Sequence, residues 1–346
     1  MGHPGAQTRA EGGIKGNREE AALPSFLRIL AFACLALIGA QQLAAADDYP
    51  SRPITLIVPF PPGGSTTVMA RNVADKMAEA LGQSIVVENR GGAGGTIGTR
   101  FASKAAADGY TILLSYTGTF SIAPSAYANP GYDPRKDFAP IGMIGAAPNL
   151  LVVTPALPVH SIAELIQYAK ASASPMPYGS PGVGTVNHLA GEMLANEIGA
   201  KLQHIPYKGN GPALGDLLGG HIPMMFMPIP AAIGNVKAGT LRALAVSSAK
   251  RSGVLPELPT LAETGVPGFD VALRYGLVAP AGTPRPIIER LNKELNIALA
   301  SDDVKKRLAT EGADALPGTP EAYAADIDRE ETKWSALVHN LNLKVE

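Results

Sequence analysis

Ile54-Thr-Leu-Ile-Val58 runs directly into Pro59-Phe-Pro-Pro-Gly-Gly-Ser-Thr-Thr67, and Ala70, Val73, Met77 and Leu81 then recur at helical spacing up to Gly82. A short β-rich run, a Pro/Gly loop and an amphipathic helix make one strand-to-helix unit. The pattern repeats. Ile85–Val87 predicts a strand and 97–105 a helix; Thr111–Leu114 and Leu150–Val153 predict two more strands. Ser161, with Glu164 three residues on, reads as a capping box that opens a helix. Helices are expected at 185–198, 211–218, 228–238, 284–300 and 320–340, with strands near 204–206, 222–226 and 242–246. In the last helix Tyr323, Ile327, Trp334, Val338 and Leu341 share one face, and Trp334 reads as a packing residue. This alternation predicts an α/β fold with mostly parallel sheets. Ligands of such folds sit beyond the carboxyl ends of strands.

Four glycine-rich loops lie at those ends: 59–67, Asn89–Thr96, Tyr178–Thr185 and Tyr207–Ala213. A helix start leaves backbone N–H groups unpaired and carries partial positive charge, and glycine lets an anion approach closely. Ser65, Thr66, Ser180 and Thr185 add hydroxyls. Any single loop is equally an ordinary turn with a Ser/Thr cap; four together favour a small anionic ligand such as a carboxylate. His188 either faces that ligand or is a satisfied structural histidine. Lys208 either pairs with a ligand carboxylate or is a solvated loop lysine. Asp216 reads as a helix-surface or capping residue.

The chain has 346 residues, 46% hydrophobic and 17% charged, with 29 Lys+Arg against 30 Asp+Glu. That length predicts two domains. The balanced charge argues against a nucleic-acid partner, and the apolar content against disorder. Gly (38) and Pro (30) together far exceed the usual combined share of about 12%. Ile29–Ala40 is an apolar run behind Arg28, followed by Ala44-Ala45-Ala46. It is too short to span a bilayer and has the form of an export signal. Cleavage after Ala46 leaves 300 residues, and removing the four basic and three acidic residues of the first 46 leaves a formal charge of −2. The single cysteine, Cys34, lies inside the apolar run, so a disulfide framework and a thiol nucleophile are excluded from the mature chain. Phosphate-loop, dinucleotide, nucleophile-elbow and zinc-protease patterns all fail, and the six histidines show no metal-like spacing. No metal and no cofactor are expected.

The sequence resembles the Bug-type substrate-binding proteins of tripartite tricarboxylate transporters. The matching segments include Tyr49–Ile54, Pro59–Ser65, Glu88–Gly95, Ala107–Leu113, Tyr132–Phe138, Tyr178–Thr185 with His188-Leu189, Pro206–Gly209, Asp216–Gly220 and Gly276–Pro284. The resemblance runs from about residue 49 to the C-terminus. It implies a two-lobed periplasmic-binding-protein fold, type II-like, with a ligand cleft between lobes. Lobe 1 would hold 47–147 and 271–346, and lobe 2 148–270. A ligand carboxylate would be held largely by backbone amides and ordered water. Carried over by position, Phe60, Pro61, Pro62, Gly63, Gly64 and Ser65, with Gly92, Gly94 and Gly95, would line lobe 1. Ser180, Gly184, Thr185, Tyr207, Lys208, Pro212 and Ala213 would line lobe 2, with His188 beside them.

The resemblance further implies a periplasmic, monomeric receptor that delivers its ligand to membrane permease subunits. Two departures stand out: Thr67 where relatives commonly carry Asp, and Arg274 where they tend to carry an aromatic residue. Arg274 either reaches a second acidic group on the ligand or is a hinge-surface arginine. An exported enzyme acting on a carboxylated substrate is the alternative function, with only Ser180 and His188 to offer; a ligand sensor for a membrane kinase is the other.

Overall fold

The computed structural model describes Gly2 and residues 49–62, 65–207 and 209–344, with Ser65 placed by its backbone alone. The expected export signal at 1–46, Gly63, Gly64 and Lys208 therefore lie outside the described residues, apart from Gly2. From Tyr49 onward the chain forms one unit.

Strand β1 (Ile54–Val58) is buried along almost its whole length, and the next helix is α1 (Ser65–Leu81). Met69, Ala70, Val73, Ala74, Met77 and Leu81 form the buried face of α1, each at most 7% exposed. Burial of a large apolar side chain of this kind contributes about 1.5–3 kcal/mol. Then follow β2 (Ile85–Asn89), α2 (Thr96–Ser103), β3 (Thr111–Tyr116) and a short α3 (Ala123–Ala126). Strand β1 pairs parallel with both β2 and β3.

The next strand, β4, runs from Phe138 to Val153. Its partner changes partway: Phe138–Pro148 pairs antiparallel with β9 (Ala272–Pro280), and Asn149–Val153 with β7 (Met224–Pro228). Between these come α4 (Ile162–Ala171), β5 (Met176–Ser180), α5 (Val186–Ile198), β6 (Leu202–Pro206) and α6 (Asn210–Leu218). After β7 come α7 (Ile229–Lys237) and β8 (Arg242–Val246). Beyond β9, α8 (Arg285–Ala300), α9 (Asp302–Thr310), β10 (Asp314–Ala315) and α10 (Pro320–Asn340) complete the chain. The strand order is β2-β1-β3-β9-β4-β7-β5-β6, with β8 and β10 also against β4.

The result is a mixed α/β fold of two sheet regions joined through β4. The expected parallel pairing holds for β1–β2, β1–β3, β5–β6 and β5–β7. Every pairing of β4 and β9 is antiparallel, because these strands return the chain between the regions rather than follow a crossover helix. Ser161 caps α4 as expected, its hydroxyl accepting from the Glu164 amide at 3.2 Å, and Glu164 Oε2 accepts from the His160 amide at 2.6 Å. Among the described residues no helix is long and apolar enough to cross a membrane.

Candidate functional site

The carboxyl ends of β1, β3, β5 and β7 open onto one cleft of about 400 Å3. From the β1 side come Phe60, Pro61 and Pro62, then Thr66 in the first turn of α1. Tyr116, the last residue of β3, and Leu273 and Tyr275 of β9 form the back wall. Opposite stand Pro181, Thr185 and Asn187 at the start of α5, Asn210 at the start of α6, and Pro228 at the end of β7. None of these twelve described residues is charged. Four helices, α1, α5, α6 and α7, begin at the cleft, and first-turn amides have no partner inside their own helix. Neutral donors and helix starts are what the walls offer an anion.

Phe60 meets Tyr116 edge-on at 5.2 Å, and Tyr116 lies 5.8 Å from Tyr275, directly across the β3–β9 ladder. Burial pushes the Tyr116 hydroxyl up to about 12 and that of Tyr275 further, so both stay protonated donors near neutral pH. Asn187 is buried; its Nδ2 donates to Asn149 Oδ1 at 3.3 Å and to the Phe226 carbonyl at 2.9 Å. The carboxamides of Asn149 and Asn210 each bury one polar atom, Nδ2 and Oδ1, without a protein partner.

Several residues expected to line the site instead stand behind it. Gly92, Gly94 and Gly95 all have positive φ and do not line the cleft. A Cβ on Gly95 would come within 2.7 Å of Thr119 Cγ2 and 3.1 Å of Phe60 Cζ, so this loop backs the Phe60 wall. Asn89 Nδ2 ties the same wall down, donating to the Phe60 carbonyl at 2.9 Å and to Thr67 Oγ1 at 2.8 Å. Thr67 is therefore buried beneath the loop rather than presented to the cleft.

Ser180 is fully buried: its hydroxyl meets His204 Nε2 at 2.5 Å and accepts from the Gly182 amide at 3.1 Å. His188 is buried too, stacked on His204 at 3.8 Å, with Nδ1 accepting from the Gly184 amide at 3.2 Å. Burial holds His188 down to about 3, with a smaller push from His204, and holds His204 down to about 4. Both rings are thus neutral braces of the Pro181–Thr185 loop, and the Gly184 amide is spent on one of them. Tyr207 donates to Asp216 Oδ2 at 2.7 Å and does not line the cleft. Ala213 is packed in the core with Leu217, and Pro212 is exposed.

Arg274 points away from the cleft, into three carboxylates: Asp326 at 3.2 Å, Glu330 at 3.3 Å and Asp270 at 3.4 Å. Of the residues singled out from sequence, the cleft gathers Phe60, Pro61, Pro62, Thr66 and Thr185. Pro181 and Asn210 belong to two of the glycine loops without having been named as site residues, and Tyr116, Asn187, Pro228, Leu273 and Tyr275 were not anticipated. Tyr116 and Pro228 end strands, where an α/β fold places its ligand, so position along the chain was an available signal.

The family described as "Tripartite tricarboxylate transporter family receptor" matches residues 69–343. Protein BugT of Bordetella pertussis is 40% identical over 312 residues, covering 90% of this chain and 96% of that protein. The structure of R. palustris Rpa4515 with adipate superposes with a TM-score of 0.76 at 37% identity, over 86% of this chain and 99% of that one. MatC from Rhodopseudomonas palustris with bound malate gives a TM-score of 0.72 at 33% identity, over 84% and 100%.

Proposed function

The chain belongs to the tripartite tricarboxylate transporter receptor family, and from that premise we propose that it is a periplasmic solute receptor that closes two lobes over a small carboxylate. The observation that carries this reading is the cleft itself: uncharged described walls, four helix starts, and the paired rings of Tyr116 and Tyr275. A carboxylate enclosed there gains hydrogen bonds from fixed dipoles in a medium of low dielectric. The adipate-bound and malate-bound relatives support the ligand class.

The lobes are 47–147 with 271–346, and 148–270; the change of β4 partner between Pro148 and Asn149 supports that division. The closed form is the one handed to the membrane permease subunits, after an export signal is removed at Ala46. The receptor performs no turnover, and the burial of Ser180 against His204 supports this by taking away the hydroxyl an enzyme would need.

Melting the protein against mono-, di- and tricarboxylates tests the reading. A true ligand stabilises by about 1.4 kcal/mol for each decade of concentration above its Kd. A screen in which no carboxylate raises the melting temperature overturns it.

A further inference from the structure

Leu273 and Tyr275 face the cleft, and Arg274 between them projects to the other side of β9, as strand alternation requires. There it meets α10. The buried face of α10 is not wholly apolar: Asp326 and Glu330, 6% and 2% exposed, interrupt the stripe of Tyr323, Ile327, Trp334 and Val338. Arg274 engages both acids and Asp270 as well. Arg329 and Lys333, on the same helix, complete a balanced set of three cations and three anions. Glu330 Oε2, 3.3 Å from Arg274 Nε, also accepts from Trp334 Nε1 at 3.1 Å. On the cleft side, Tyr116 borders a space of about 10 Å3 that it shares with Arg274, Asp326 and Glu330. The aromatic wall is thus joined through β9, where Arg274 is flanked by Leu273 and Tyr275, to the carboxylates of α10 and to the only tryptophan of the protein.

We propose that Arg274 is a positioning residue that clamps the aromatic wall to α10, so that a ligand seated against Tyr116 and Tyr275 is registered at Glu330 and Trp334. This rests on the receptor reading above. Two buried carboxylates converge on one guanidinium, and such a cluster has few low-energy arrangements, because any shift of β9 leaves a buried charge under-paired. Leu273, Tyr275, Arg274 and α10 all lie in the same lobe, so it is a ligand pressing on Leu273 and Tyr275, not the movement of one lobe against the other, that shifts Arg274 against Asp326 and Glu330. The indole, bonded to a carboxylate of the same cluster, feels the change as an altered local field. An aromatic side chain at position 274 would leave Asp326 and Glu330 without their shared cation.

The test is calorimetric titration of the full protein with adipate, malate and benzoate, alongside selectively excited indole fluorescence. In the parent, emission changes in step with occupancy. In Arg274→Met, affinity falls about tenfold and the emission response is lost even at saturation. Glu330→Gln, which keeps the size and an acceptor for the indole, stands in if Arg274→Met does not fold, and a weakened, blunted response is expected. Arg251→Met, in an exposed pair with Glu263, is the charge-loss control and leaves both readouts unchanged. A parent that binds a probe with silent emission overturns the coupling alone, as does Arg274→Met with affinity within twofold of the parent and an intact response. A parent that binds none of the three probes and shows no thermal shift with any carboxylate overturns the receptor reading and the coupling together.

Discussion

His188 and His204 are stacked imidazoles that the fold keeps uncharged. Glu192 stands 3.7 Å from His188 Nε2 and accepts the Tyr178 hydroxyl at 2.7 Å, while burial and then the neighbouring His204 lower the His188 imidazole. With folded values near 3 and 4 against an ordinary 6.5, the unfolded chain binds more protons between those limits. Stability from the neutral pair is full above pH ~6.5 and is lost as pH falls from there towards the folded values. Each ring contributes a slope of at most about 1.4 kcal/mol per pH unit. His188→Asn keeps an acceptor for the Gly184 amide and removes one titration. Denaturant unfolding between pH ~7 and ~4 is expected to give a flatter stability profile for this variant; a profile as steep as the parent's contradicts the assignment. Sequence left His188 open between ligand contact and structural bracing. What decides it is the pairing of β5 with β6, which sets His204 opposite Tyr178 and within 2.5 Å of the Ser180 hydroxyl, across 24 residues of chain. Strand register is a tertiary property, and local spacing does not contain it.

Among the elements, α10 was the most legible, and its observed bounds, Pro320–Asn340, coincide with the expected 320–340. Twenty-one residues of helical periodicity make a strong signal. The strand it covers was not legible as a strand, because Arg274 and Gly276 break its apolar run. Both breaks have a cause in α10. Arg274 answers the two buried acids, and Gly276 makes room for Tyr323: a Cβ there would clash with the hydroxyl end of the Tyr323 ring. Tyr323 is itself fixed, its hydroxyl 2.6 Å from Ser115 Oγ. Gly276→Ala is therefore expected to push α10 off β9 and to cost about 1–3 kcal/mol, as overpacking typically does. Denaturant midpoints with an unchanged m-value read the loss. Because Gly276 lies between the cleft residue Tyr275 and the next strand position, the same variant weakens any carboxylate the parent binds. A neutral substitution would mean that α10 is free to move there.

At the scale of the molecule, the α/β alternation was visible because the outer strands are short, β-branched and followed by helices. The strand that joins the two sheet regions was visible only at its end. Phe138-Ala-Pro-Ile-Gly-Met-Ile-Gly-Ala-Ala-Pro148 carries two glycines and two prolines beyond its first residues, a composition that argues against a strand. Register shifts at Pro140/Gly142 and Met143/Gly145 accommodate them, and Gly145 lets β10 approach closely. Where β4 changes partner, the second connection passes alongside, and Ser247 fastens the two. Its amide donates to the Asn149 carbonyl at 2.9 Å and its carbonyl accepts from the Val271 amide at 2.7 Å. Its hydroxyl accepts from the Asn149 amide at 2.9 Å and donates to the Val271 carbonyl at 2.5 Å. All of this is sealed from solvent, with Asn149, Ser247 and Val271 each 0% exposed. Ser247→Ala leaves a buried N–H and a buried carbonyl short of a partner, at an expected cost of about 1–3 kcal/mol. The fastening lies outside the cleft, so the ligand's own contribution should survive. Unfolding measured over a carboxylate series is expected to show a lower baseline but stabilisation that sets in at the parent's ligand concentration, the rise of about 1.4 kcal/mol per decade above Kd being the same for any affinity. An unchanged baseline would show that the hydroxyl is not a structural tie. An onset moved to higher ligand concentration would show that binding reshapes these bonds, with the junction acting as the hinge itself.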